Sequence, residues 1–124
     1  MYQGHSVLQT AGQLLIAFAF LATGVRNAGW KFGQHVERMA AYGVPQARLV
    51  LIGGLGLQFA GALLLALDVH RALGAYLLVG FTAAASAIFH RWWRMSDPLL
   101  RHLHLSNLLV NCAVVGGLLL VAAI

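Results

Sequence analysis

Four long apolar runs without a charged residue dominate the pattern of hydrophobic and polar positions along this chain. They lie at Val7–Val25, Leu49–Leu67, Ala72–Phe89 and Leu108–Ile124, and each is 17 to 19 residues long. An α-helix of about 20 apolar residues, rising about 1.5 Å per residue, spans a hydrocarbon core of about 30 Å. The last run can gain a first turn from 103–107, so we predict transmembrane helices at about 7–25, 48–67, 72–90 and 103–124.

The fold class follows from what lipid tolerates. Only helices and closed barrels satisfy their backbone polar groups in lipid, and the runs lack the alternation of a barrel strand. The first run has no basic segment before it and no clear cleavage site, so we interpret it as a retained helix. The tight turn Asp68–Arg71 favours an antiparallel hairpin. The sequence therefore predicts an all-α, integral-membrane, antiparallel four-helix bundle, with residues 1–124 as one transmembrane domain.

A different periodicity lies between the first two runs. Apolar residues recur there at i, i+4 and i+7, each preceded by a basic residue or a histidine: Phe32, Val36 and Met39 after Lys31, His35 and Arg38. This pattern is typical of a short amphipathic helix that lies on the membrane surface. Gly43 and Pro45 are expected to end it.

Composition agrees with a membrane location. The chain is 60% hydrophobic and 9% charged, with a mean hydropathy of +0.80, whereas soluble domains are about 45–50% apolar and about 25% charged. The net charge of +5 is clustered at the ends of the predicted helices, which favours anionic lipid headgroups over nucleic acid as its counterpart. Cys112 is the only cysteine, so redox chemistry would need a cofactor or a partner.

The basic residues are unevenly divided between the two sides that four spans define. The second loop holds Arg71 alone, and the first and third loops hold the other seven: Arg26, Lys31, Arg38, Arg48, Arg91, Arg94 and Arg101. Loops rich in lysine and arginine stay in the cytoplasm. We therefore predict that loops one and three are cytoplasmic and that both termini lie outside.

Glycines are concentrated in the second and fourth predicted helices, at Gly53, Gly54, Gly61, Gly116 and Gly117. Small residues let the backbones of neighbouring transmembrane helices approach closely. We predict helix-packing roles for all five.

Polar side chains within and beside the apolar runs have two interpretations, and the sequence leaves both open. One is interhelical hydrogen bonding, at roughly 0.6–2 kcal/mol for each bond. The other is a polar pocket that binds a quinone headgroup, whose carbonyls need donors, or a small substrate. The candidate ligand-binding residues are His90, His104, Asn107, Asn111, Ser86, Gln58 and Trp93.

The segment 88–107 is rich in histidine, arginine and tryptophan, and most of it has the character of a membrane interface. Trp92 and Trp93 follow the third predicted helix, where aromatic belts belong, and Asp97-Pro98 is expected to form a turn before the fourth. His102 and His104 would lie about 200° apart around a helix and cannot ligate one ion together. No metal site is predicted.

Several motifs resemble the DoxX family of small four-helix membrane proteins over nearly the whole chain. They are "ATGVR" at 22–26, "GVP" at 43–45, "GGLGLQFAGALLL" at 53–65 followed by Arg71, and "NCAVVGGLLL" at 111–120. The resemblance implies a membrane component of a redox system, since family members are associated with thiosulfate:quinone oxidoreductase and with membrane oxidoreductase complexes. This chain has Gln58 where many relatives have Glu, and Val110 where many have Lys.

The function we predict is that of a small integral-membrane subunit of a redox or respiratory assembly in a bacterial-type inner membrane. Its partners would be the lipid bilayer and other membrane or redox subunits or further copies of itself, without nucleic acid. It would have no intrinsic cofactor, and quinone is the candidate ligand. A small-molecule transporter and a purely structural accessory subunit are the alternatives, and enzymatic activity is left undecided, because no nucleophile or acid–base pair stands out.

The sidedness can be tested with single cysteines at Ser96 and Val69 in a Cys112→Ala background. Ser96 lies in the third loop and Val69 in the second. An impermeant thiol reagent added to intact cells should label the cysteine at position 69 and leave the one at position 96 unlabelled. Strong external labelling at position 96 would reverse the orientation.

Overall fold

A computed structural model of the chain describes residues 5–29, 32–89, 94 and 96–124, and these residues form five α-helices and no strand. The helices are α1 (Val7–Ala28), α2 (Phe32–Ala41), α3 (Ala47–Leu67), α4 (Arg71–Phe89) and α5 (Pro98–Ala123). All except α2 are long and apolar enough to cross a membrane. The prediction of an all-helical membrane protein with four long apolar helices is confirmed.

Local sequence signals determine where the helices begin and end. Ser6 and Gln9 form a capping box at the start of α1, in which Ser6 Oγ accepts from the Gln9 amide at 3.0 Å and Gln9 Oε1 accepts from the Ser6 amide at 2.8 Å. A short helix also occurs at the expected place between the first two spans. After this helix Gly43 takes a φ of 84°, a left-handed conformation that glycine adopts without strain.

The last helix begins earlier than the sequence indicated. It begins at Pro98 rather than near residue 103, and the residues expected to form a turn are instead its cap. Asp97 Oδ1 accepts from the amides of Leu99 at 2.8 Å and Leu100 at 3.3 Å. Proline suits the first helical position because its missing N–H would have had no partner there.

The four long helices are arranged in an arc. In this arc α3 packs between α1 and α4, and α4 packs between α3 and α5, while α1 and α5 make little contact with each other. The amphipathic α2 packs mainly against α3. The arc therefore closes poorly along the seam between α1 and α5.

The closest approach in the bundle is between α3 and α4. A Cβ atom built on Gly61 would lie 2.9 Å from the carbonyl oxygen of Gly74, and one built on Gly74 would lie 2.9 Å from that of Gly61. Both distances are shorter than real Cβ contacts allow, so the two glycines are what lets the backbones touch. Gly61 is one of the packing glycines predicted from the sequence, and Gly74 is not among them.

The other predicted packing glycines differ among themselves. Gly54 and Gly117 make ordinary contacts, at 3.8 Å to the Phe81 ring and 3.5 Å to the Ile16 side chain respectively. At Gly53 and Gly116 nothing in the described part of the chain lies within 4 Å of a built Cβ. The expectation that these two pack against another helix of the chain is not met, because both are on outward-facing surfaces.

Two hydrophobic clusters lie at opposite ends of the bundle. The cluster at the end where His5, the α3–α4 turn and Ile124 meet, here called the terminal end, is formed by Ala17, Leu65, Ala75, Leu78, Leu118 and Val121. The cluster at the other end, the α2 end, is formed by Met39, Ala47, Leu51 and Leu55. Met39 is 2% exposed there, so the apolar face of α2 is buried against the bundle.

The contact between α3 and α4 yields a stability prediction. Gly61→Ala should lower the free energy of unfolding by about 1–3 kcal/mol, because the added methyl group overpacks a backbone contact. Gly53→Ala is the matched control on the same helix, and it should leave stability unchanged or slightly raised, because alanine favours the helix over glycine. Thermal unfolding in detergent, followed by circular dichroism, compares them. Equal melting temperatures would show that the glycine contact contributes little.

Candidate functional site

An apolar cavity of about 630 Å³ lies inside the arc, between the middle of the bundle and the α2 end. Its apolar walls come from every helix of the arc and include Phe20, Leu51, Leu55, Phe81, Phe89 and Val114. The rings of Phe20 and Phe81 meet edge to face with their centroids 6.2 Å apart. Ala19 of α1 and Ala113 of α5 both line the cavity and are both exposed, which indicates that the cavity opens between these two helices.

Gln58 is the most deeply buried polar residue of this cavity, with 1% of its surface exposed. Its Nε2 donates to the carbonyl oxygen of Phe20 at 2.8 Å and to Oγ1 of Thr23 at 3.0 Å, so it bridges α3 to α1. Gly24 makes this possible, since a Cβ at that position would lie 3.3 Å from Nε2 and 3.0 Å from the Phe59 ring. Gln58 Oε1 has no partner among the described residues.

The opposite wall carries a second polar group. Thr82 and Ser86 are buried on one face of α4, and Asn111 Nδ2 donates to Ser86 Oγ at 2.9 Å, which joins α5 to α4. Thr82 and Asn111 line the cavity, and Thr82 Oγ1 finds no partner in the described part of the chain. Gln58 and Thr82 thus both line the cavity, and each carries a buried polar atom, Oε1 and Oγ1 respectively, that has no partner among the described residues.

At the α2 end the cavity wall becomes cationic and amphipathic. His35 Nε2 lies 3.1 Å from Asn27 Oδ1, and the His35 ring meets the Phe89 ring edge to face at 5.4 Å. The Arg38 guanidinium lies 6.0 Å from the centroid of the same Phe89 ring. His35, Arg38 and Asn27 all line the cavity, so a molecule in it would have an apolar middle region and a polar, basic end.

The terminal end is closed by a polar network that the sequence did not predict. Arg71 Nε donates to the Val121 carbonyl at 3.1 Å and Nη2 to the Ile124 carbonyl at 2.7 Å, which fastens the end of α5 to the start of α4. Asp68 Oδ1 lies 3.4 Å from Arg71 Nη1 and accepts from Gln13 Nε2 at 3.0 Å. Gln13, which is fully buried, also donates to the Leu65 carbonyl at 2.8 Å. This network ties α1, α3, α4 and α5 together.

The structure brings some of the predicted ligand-binding residues together and leaves others apart. Gln58 and Asn111 line the same cavity, and Ser86 holds Asn111. His104 is half-buried and Asn107 is exposed, and neither lines the cavity. His90 and Trp93 lie outside the described residues, so the expected meeting of His90 with His104 is untested.

Several residues that line the cavity are not among the predicted ligand-binding residues: Thr23, Asn27, His35, Arg38 and the phenylalanines. Thr23 and Asn27 stand at i and i+4 on α1, a spacing that places both on one face. That spacing is the sequence feature from which a polar face on α1 could have been predicted. His35 and Arg38 had been assigned to the membrane surface alone. Among the described residues no group of three or more His, Cys, Asp or Glu side chains is placed to hold a metal ion.

Comparison with family models, with curated protein sequences and with solved structures found no match for this chain. The resemblance to the DoxX family therefore rests on its motifs alone and stays a prediction. The class that the fold defines is a helical, multi-pass membrane protein with an internal apolar cavity.

The hydrogen bond between Asn111 and Ser86 predicts energetic coupling between α5 and α4. A double-mutant cycle with Asn111→Ala and Ser86→Ala should give a coupling of about 0.6–2 kcal/mol in the free energy of unfolding, measured by denaturant titration in detergent. The matched cycle pairs Asn107→Ala with Ser86→Ala, and its coupling should be near zero because Asn107 is exposed. Similar coupling in both cycles would contradict a specific bond.

Proposed function

We propose that this protein binds a lipid-soluble ring compound of the quinone class in the cavity between α1, α3, α4 and α5. We propose further that it acts there as a small integral-membrane subunit of a redox or respiratory assembly. The observation that carries the proposal is the cavity of about 630 Å³, with aromatic walls and a few buried polar atoms. Ligand sites are typically apolar clefts of about 300–1,000 Å³ with a small number of placed polar groups.

The position of the cavity suits a ligand that arrives from the bilayer. Its opening lies along the seam between α1 and α5, two helices whose outer surfaces are apolar: Leu15 and Phe18 on α1 are exposed, as are Leu109 and Val110 on α5. A ligand carrying a long apolar tail can leave that tail in lipid while its ring enters between the helices. Phe20, Phe81 and Phe89 supply flat apolar surface against which a ring can pack.

The role in an assembly rests on different support. The DoxX-like motifs imply a redox context, and the chain has only one cysteine, the exposed Cys112, and so no internal dithiol of its own. Electrons would therefore enter and leave through a bound quinone and a partner subunit. The seven-to-one distribution of basic residues supports an inner-membrane orientation with both termini outside and α2 on the cytoplasmic surface.

Binding can be tested by filling the cavity. Ala85 lines the cavity and the neighbouring Ala84 does not, so Ala85→Phe should block the site while Ala84→Phe, exposed on the outer face of α4, leaves it open. Equilibrium dialysis of the detergent-solubilised protein against a decyl-substituted benzoquinone, with empty micelles as the blank, measures the dissociation constant. We expect saturable binding by the parent and by Ala84→Phe, and at least tenfold weaker binding by Ala85→Phe.

Two results would overturn the proposal. The first is an absence of saturable binding by the parent protein above the micelle blank. The second is equal binding by the Ala85→Phe and Ala84→Phe variants, which would place the quinone on the outer surface of the bundle rather than in the cavity.

A further inference from the structure

We infer that the cavity selects the reduced, hydroxyl-bearing form of such a ring compound, a quinol, over the quinone itself. This inference rests on the proposed function and refines it from a class of compound to a redox state. It starts from one deeply buried side chain of the cavity wall, Gln58, and the polar atom that its contacts within the protein leave unpartnered.

The orientation of the Gln58 amide is determined by its neighbours. The Phe20 carbonyl, 2.8 Å away, can only accept, so the nitrogen of Gln58 must face it. The Thr23 hydroxyl gives its proton to the Ala19 carbonyl at 2.8 Å, so its oxygen is the acceptor of the second Gln58 hydrogen at 3.0 Å. An inverted amide would set the Gln58 oxygen against the Phe20 carbonyl oxygen, and neither can donate. Both hydrogens of Nε2 are therefore used, and only Oε1 remains.

Gln58 Oε1 is an acceptor, and this decides which ligand group suits it. It lies on a side chain that is 1% exposed and has no partner among the described residues, so a ligand that offers a hydrogen there satisfies a buried polar atom. A quinol hydroxyl offers that hydrogen. A quinone carbonyl is itself an acceptor and leaves Oε1 unsatisfied or opposes it.

Thr82 can contribute to binding without selecting a redox form. The residue is buried, with 5% of its surface exposed, and lines the cavity, and its hydroxyl has no partner in the described part of the chain. A hydroxyl donates one hydrogen and accepts others, so it suits either redox form and selects neither. The preference for quinol should therefore depend on Gln58, while the affinity for both forms depends partly on Thr82. The sequence predicts polar residues that donate to quinone carbonyls, whereas the unpartnered atom of Gln58 is an acceptor.

The test compares three ligands on the intact protein in detergent, by anaerobic equilibrium dialysis with empty micelles as the blank. The ligands are a decyl-substituted benzoquinol, its benzoquinone, and the dimethyl ether of the quinol, which keeps the ring but cannot donate a hydrogen. We expect the quinol to bind about tenfold more tightly than either of the others, as the gain of one buried hydrogen bond implies. Gln58→Leu should reduce the three affinities to within about twofold of one another.

Gln13→Leu is the matched control. Gln13 is also fully buried and also has an unpartnered Oε1 among the described residues, but it lies at the terminal end and does not line the cavity. The quinol preference should persist in this variant. Thr82→Val should weaken quinol and quinone together by about three- to tenfold and keep the preference.

The outcomes separate the two proposals. If none of the ligands binds saturably to the parent, the proposed function fails, and this inference fails with it. If the quinone or the dimethyl ether binds as tightly as the quinol, the cavity is a ring-binding site without the selection inferred here. A quinol preference that survives Gln58→Leu would also overturn the inference. The comparison of ligands on the parent needs no variant, so it decides the matter even if Gln58→Leu does not fold.

Discussion

The backbone contact between Gly61 and Gly74 is the constraint on which the rest of the bundle depends. It brings α3 and α4 together at the terminal end, where a Cβ on either glycine would lie 2.9 Å from the other's carbonyl oxygen. Two turns along α3, at Gly54, the ring of Phe81 stands at 3.8 Å in the corresponding place. The gap between the two helices is thus narrow at the terminal end and filled by a side chain nearer the middle, which is where the cavity begins. The two glycines therefore let α3 and α4 touch at the terminal end, and the Phe81 side chain lies between these helices near the cavity.

Lipid imposes the second constraint, because a polar group buried there has no water to bond with. The side-chain amides of Gln13, Gln58 and Asn111 therefore form hydrogen bonds to neighbouring helices. Gln13 and Gln58 join α1 to α3, and Asn111 joins α5 to α4. Such bonds use the donors of each amide first, since the backbone offers carbonyl oxygens. At Gln13 and Gln58 the atom left without a partner among the described residues is the acceptor Oε1, and of these two residues Gln58 lines the cavity. In this protein the same side chain therefore serves packing and supplies a candidate recognition atom.

The two interpretations of the polar residues that the sequence left open are not exclusive in the structure. Interhelical hydrogen bonds are made by Ser86, by Asn111 and by the side-chain nitrogen of Gln58. Gln58 Oε1 and Thr82 Oγ1 take no part in those bonds, and both residues line the cavity. The arc has an opening because α1 and α5 each pack mainly on one neighbour and make little contact with each other. At the terminal end Arg71 holds the last turn of α5 against α4.

The sequence by itself determined the number, type and approximate bounds of the long helices, because about 20 apolar residues in lipid have no alternative to a helix. The periodicity of apolar residues also predicted α2. Gly61 was predicted as a packing residue and Gln58 as a candidate ligand-binding residue. The sequence could not separate Gly61 from Gly53, since both are glycines of one helix and only the position of α4 decides which face is crowded. The network of Arg71, Asp68 and Gln13, and the contribution of α2 to the cavity through His35 and Arg38, needed the tertiary structure. These residues are far apart in the chain. The pattern of hydrophobic residues indicates which positions can face lipid, but it does not indicate which distant side chain a given residue contacts.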